Sequence, residues 1–437
     1  MTSDVPLPER CAIQLRDDLA TGTISAVELA KACIARIEER EKVIGAWAWF
    51  NAHYALQQAK ALDTKRLSGD KLGPLHGLPV AVKDIVDVGG VPTENGCPLD
   101  EGRVPETDAV VVKRLKAAGA LVMGKTVTTE LAFLSPSRTC NPVNVAHTPG
   151  GSSSGSAAAV ADGMVPLAIG TQTGGSVIRP ASFCGVTGMK PQFGAIPSKG
   201  VLVQSPRLDT LGVFARDPEG AALLASALMD ERGTNVSAVL SAASRNGADT
   251  VFGFVELPGW EQVEAATKQG ILGLCEKLAS SLVDVSLPVF FEDAASQRAT
   301  LNAAEMAFHF RHYYASGANR LGRETREEIE RGQNITAMEY LSACTYQDSL
   351  HQQTEDLFRN CDVLLCPAAL GAAPEGLGST GDSIFNGVWT MAGVPAITLP
   401  LLQDETGLPM GVQLVARAND EAGLVRAARW LWHMCQS

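Results

Sequence analysis

Short apolar runs punctuate the chain, with helix-patterned segments between them. The runs cover residues 80–86, 120–123, 166–170, 251–255, 362–366, 396–401 and 411–416. They are too short for buried helices and match buried strands. Ser25-Ala-Val-Glu28 is a capping box. Leu29, Cys33 and Ile37 follow it at helical spacing, one face of a helix. Residues 107–118 read as a helix ended by Gly119, residues 157–161 as a second, and 420–434 as a last. Strands alternating with helices predict an α/β fold, a mixed β-sheet sandwiched between α-helices. No low-complexity linker divides the chain, so a single domain over 1–437 is expected. Its parts are a helical N-terminal region (1–65), a core (66–217), a mainly helical insertion (218–360) and closing strands with a helix (361–437).

Charge narrows the partners. Lys plus Arg number 36 against 48 Asp plus Glu, a net charge of −12, and no basic stretch is present. Such a chain is a poor match for nucleic acid or an anionic membrane. The first residues show no cationic start followed by an apolar core, and no uncharged apolar run reaches the roughly 18 residues of a membrane helix. Ten cysteines include no Cys-x-x-Cys pair. They are read as reduced, mostly buried thiols in a cytoplasmic protein. Cys361 and Cys366 flank an apolar run, which strand packing explains better than a metal does.

Three motif matches lack the surroundings their chemistry needs. Gly119-Ala-Leu-Val-Met-Gly-Lys125-Thr126 fits the P-loop spacing, but its four variable positions are apolar and belong to a strand. Gly151-Ser-Ser-Ser-Gly155 fits the nucleophile elbow, yet a Pro-containing loop precedes it where a strand is required. Ser68-Gly-Asp-Lys71 fits Ser-x-x-Lys but lies in a polar connection without apolar flanks.

A fourth constellation has three parts that agree. Lys83 ends the apolar run Leu78-Pro-Val-Ala-Val82; desolvated there, it becomes a neutral base near pH 7. Pro149-Gly-Gly-Ser152-Ser-Ser-Gly155 places hydroxyls at a helix start. Gly170-Thr-Gln-Thr-Gly-Gly-Ser176 follows a strand, and its glycines free backbone N–H groups to converge on an oxyanion. A base, a hydroxyl and anion-stabilising donors are the parts of acyl-transfer chemistry.

These blocks resemble the amidase signature family of serine hydrolases, which use a Ser–Ser–Lys triad. The likeness is carried by Gly77-Leu-Pro-Val-Ala-Val-Lys83-Asp84, by the block from Pro149 to Ser156, and by Gly170–Ser176 through Arg179-Pro180 to Gly185. Trp389-Thr-Met-Ala-Gly-Val-Pro395-Ala396 and Gly407-Leu-Pro-Met-Gly-Val-Gln413 extend it, so it spans about residues 20–435. The resemblance implies the amidase-signature fold and an amidase acting on linear amide C–N bonds. Ser176 is then the nucleophile, Ser152 the bridging serine after a cis Gly151–Ser152 peptide, and Lys83 the base. Thr173, Gly174, Gly175 and Ser176 donate backbone N–H groups to the oxyanion. No metal or cofactor is implied.

Departures from the family pattern bear on the substrate. Gln172 stands where the family commonly has Asp, Ser154 where it has Gly, and Arg179 lies three residues after Ser176 rather than two. Gln172, Ser154 and Arg179 are therefore the candidate substrate-binding residues. The Arg placement is similar to malonamidase-type members, in which it binds a substrate carboxylate; pairing with a structural acid is the competing reading. The expected activity is hydrolysis of a small carboxamide, a half-amide such as malonamate being one case. The alternatives are an A-type glutaminase component of an amidotransferase that passes ammonia to a partner, an arylacetamide amidase, and a non-catalytic scaffold, against which the intact triad argues. The partner expected is a small-molecule amide, with a homodimer left open.

Overall fold

The computed structural model describes residues 5–230 and 247–436. Among these, eleven strands form one mixed sheet in the order β1-β3-β2-β4-β6-β5-β10-β11-β9-β7-β8. In chain order they are β1 (Trp47–Phe50), β2 (Pro79–Lys83), β3 (Leu121–Thr126), β4 (Leu167–Gln172), β5 (Thr187–Lys190) and β6 (Thr210–Ala215). There follow β7 (Phe252–Val255), β8 (Leu282–Val285), β9 (Val363–Pro367), β10 (Ala396–Gln403) and β11 (Pro409–Ala416). Two parallel triplets, β3-β2-β4 and β9-β7-β8, are joined through antiparallel pairs.

Alternation along β9 shows how the sheet divides the core. Val363 and Leu365 pack into the cluster that holds Leu29, Val80 and Leu115, while Leu364 and Cys366 pack with Phe385 and Trp389. Successive strand residues point to opposite faces, so apolar layers cover both sides. The capping box is present: Ser25 Oγ accepts from Glu28 N and Glu28 accepts in turn from Ser25 N, opening helix Ala26–Ile44. Among the described residues no helix is long and apolar enough to cross a membrane.

Two parts of the sequence reading change. The N-terminal region is not wholly helical, because β1 pairs with β3 at one sheet edge. The insertion contributes β8 as well as the expected β7, and β7 pairs directly with β9. Strand β8 carries Asp284 and is only half-buried, which removes the apolar signal from its sequence. Strands β5 and β6 also escape the pattern; both hold a glycine and buried threonines. Residues 231–246 of the insertion lie outside the described residues.

Candidate active site

Lys83 is the last residue of β2, a strand buried along its whole length between β3 and β4. Its Nζ lies 2.7 Å from Ser152 Oγ and 2.9 Å from Thr171 Oγ1. Burial pulls the ammonium down from its ordinary value to about 7, partly opposed by the charge of Asp209. Lys125 on β3 is also buried, but its Nζ is paired with Asp84 at 2.9 Å and donates to Thr93 at 2.6 Å. That ion pair explains the lysine of the false P-loop motif. Lys83 meets hydroxyls instead of a carboxylate, so less opposes its desolvation.

The repeated serines have separate tasks. Ser153 Oγ donates to Thr171 O at 3.2 Å and accepts from Thr171 N at 3.3 Å, and Ser156 Oγ donates to Ile169 O at 2.9 Å. Both stitch the Ser-rich block onto β4. Gly170 permits this approach, since a Cβ there would lie 2.7 Å from Ser153 Oγ. Ser152, after the cis Gly151–Ser152 peptide, is the serine beside Lys83. Ser154 opens helix Ser154–Ala161; its buried Oγ has no partner among the described residues and it is absent from the cavity wall.

Beyond β4, Thr173–Ser176 form the turn into helix Ile178–Cys184. Gln172, read from sequence as facing substrate, is turned inward. Its Oε1 accepts from Val177 N at 2.8 Å and Ile178 N at 3.0 Å, and its Nε2 donates to Thr390 Oγ1 at 3.0 Å. It caps the helix that follows Ser176, satisfying donors that such a terminus leaves open. An Asp side chain is too short by one methylene to reproduce both ends of this arrangement.

Two residues that the sequence reading missed complete the site. Thr171, on β4, holds the second contact to Lys83. Asp209 accepts from Thr173 Oγ1 at 2.7 Å, from Gln204 N at 2.8 Å and from Ser205 N at 2.9 Å. Burial raises its carboxyl to about 6 against the pull of these donors. The Asp209 position, just before β6, carried no local motif to reveal it.

A cavity of about 250 Å³ opens on the turn, walled by Thr173, Gly174, Gly175, Ser176, Arg179 and residues of the helical insertion, among them Arg298 and Arg331. Lys83 and Ser152 are buried and do not form part of its wall. Arg179 is almost fully buried; its Nη2 donates to Gly151 O at 2.8 Å and Thr380 Oγ1 at 3.2 Å, tying the two blocks together. Its Nε has no partner among the described residues, and burial lowers its guanidinium to about 10.

The family model for amidases matches residues 28–425. This chain belongs to the amidase family. It is 34% identical to the A-type component of the glutamyl-tRNA(Gln) amidotransferase of Anaeromyxobacter dehalogenans strain 2CP-C, over 98% of this chain and 97% of that one. The same-named component from Chloroflexus aurantiacus strain J-10-fl is also 34% identical, over 93% of each chain. Among solved structures, an amidase superposes with a TM-score of 0.88 at 28% identity, covering 97% of this chain and 100% of that one. A chain from a vestigial protein complex bearing on the origins of an s-triazine catabolic enzyme superposes at 0.91 with 27% identity, over 97% and 98% of the two chains. The amidase is therefore a hydrolase with the amidase-signature fold, as its sequence blocks imply.

Proposed function

We propose that this amidase hydrolyses a small primary carboxamide to the carboxylic acid and ammonia through an acyl-Ser176 intermediate. The observation that carries the reading is Lys83 Nζ, desolvated to a pKa of about 7, at 2.7 Å from Ser152 Oγ. Neutral Lys83 accepts the Ser152 proton, and Ser152 accepts the Ser176 proton as Ser176 Oγ bonds to the carbonyl carbon. N–H groups of residues 173–176 hold the negative charge that forms on oxygen. The relay then runs back, protonating nitrogen as the C–N bond breaks. Water adds to the ester by the same base, releasing acid and restoring Ser176.

Two substrate readings follow from different observations. Arg179 on the cavity wall supports an acyl group bearing a carboxylate, as in malonamate. The amidotransferase relatives support glutamine as the ammonia source and a second protein as its recipient. Ammonia release by the purified chain separates them: malonamate, aliphatic amides, arylacetamides and glutamine are compared, alone and after co-purification with endogenous partners. Failure of every amide to release ammonia overturns the hydrolase proposal for this chain.

A further inference from the structure

We infer that Arg298 is a specificity-determining residue that, with Arg179, forms a two-guanidinium anchor for the carboxylate of a short half-amide lacking an ammonium group. The inference rests on the amidase reading above and selects between its two substrates.

Arg298 comes from helix Ala294–His309 of the insertion, far in sequence from the catalytic blocks, yet lines the same cavity as Ser176 and Arg179. Its Nε, like that of Arg179, is buried without a hydrogen-bond partner among the described residues. Unpaired guanidinium N–H groups are costly, and two under-paired arginines from separate elements lining one cavity point to a ligand that supplies acceptors. The guanidinium fits because two glycines leave space. A Cβ at Gly387 would lie 2.4 Å from Arg298 Nε, and one at Gly174 would lie 3.2 Å from Nη1. Arg298 thus rests on the nucleophile turn, close to where an acyl group must sit.

The cavity wall carries Arg179, Arg298 and Arg331 against the carboxylate of Glu328, so an amino group meets mostly like charge. Arg179 and Arg298 feel the charge of Asp382, which is exposed, and Arg298 feels Glu328. Glu328 is the carboxylate on the wall, and Arg331 already grips it through two bonds of 2.8 Å. Glu328, already ion-paired with Arg331, is a weaker attraction for an α-ammonium, whereas a substrate carboxylate meets two charge-assisted donors. Rejection by like charge is how such a site discriminates. The 250 Å³ volume limits the acyl chain to a few carbons.

The test compares kcat/KM for malonamate, propionamide and glutamine. Wild type is expected to prefer malonamate over glutamine by at least ~100-fold. Arg298→Gln is expected to lower the malonamate-to-propionamide ratio by at least ~30-fold, mainly through KM, with Arg298→Lys recovering part of it. Glutamine turning over as well as malonamate, or equal losses for both amides in Arg298→Gln, overturns the inference. A second readout is free of chemistry: calorimetric titration of Ser176→Ala with malonate, with and without Arg298→Gln. Binding that weakens at least ~30-fold supports the anchor even if no amide is hydrolysed, and malonate binding indifferent to Arg298 overturns it.

Discussion

Asp209 accepts a hydrogen bond from Thr173 Oγ1 at 2.7 Å, and its charge also reaches Lys83. One carboxylate therefore steadies the turn that carries Ser176 and opposes the desolvation of the base. Removing its charge in Asp209→Asn takes away the interaction that favours charged Lys83. The acidic limb of kcat/KM is expected to move to lower pH, while kcat falls as the turn loosens. A pH–rate profile checks this; a limb that moves to higher pH rejects the coupling.

Lys83 is the base under test in the second case. Activity is expected to rise with pH through about 7, the value to which burial brings it, and to drop at least ~10²-fold in Lys83→Met. Stability gives an independent sign. The folded-state pKa lies below the ordinary 10.5, so the unfolded chain binds the extra proton between these values. The native state is penalised fully below about 7, and the penalty fades toward 10.5. Lys83→Met should raise Tm more at pH 6 than at pH 9. Equal shifts at both pH values would show that Lys83 is not desolvated in solution.

Ser176 begins the turn's exit beside the cavity, with two glycines before it. Ser176→Ala is expected to abolish turnover, and a slow amide or phosphonate-type inhibitor should add mass to Ser176 by peptide mapping. Label on Ser152 or on a cysteine instead rejects the nucleophile.

Gln172 is placed to hold a helix rather than to touch substrate. Gln172→Ala removes the acceptor for Val177 N and Ile178 N. Each lost buried bond costs about 1–3 kcal/mol, so the midpoint of urea unfolding should fall measurably. Charged and neutral amides should lose activity by the same factor. A selective loss for one class returns Gln172 to the substrate pocket.

Local chemistry explains what could be read in advance. Lys83, Ser152 and Ser176 each sit in a block whose purpose is short-range: an apolar strand that desolvates its last residue, and glycines that free the backbone. The strands β2, β3, β4, β7, β9, β10 and β11 are legible because each contains or adjoins a short apolar run, as strands buried on both faces tend to. Strands β1, β5, β6 and β8 were not, since they are brief, half-buried or mixed with glycine and threonine, and pairing rather than pattern stabilises them.

The amino-acid order carries the fold class, the amidase family and the candidate base with its two candidate hydroxyls. It does so because these depend on residues within a few positions of one another. Tertiary structure alone decided that Thr171 and Asp209 attend the base and its turn, that Gln172 faces inward, and that Arg298 reaches the cavity. Asp209 meets Thr173 across 36 residues, and Arg298 joins Arg179 from a separate helix. No local spacing encodes such meetings; they arise when the turn after β4 and the helical insertion are brought together around one cavity.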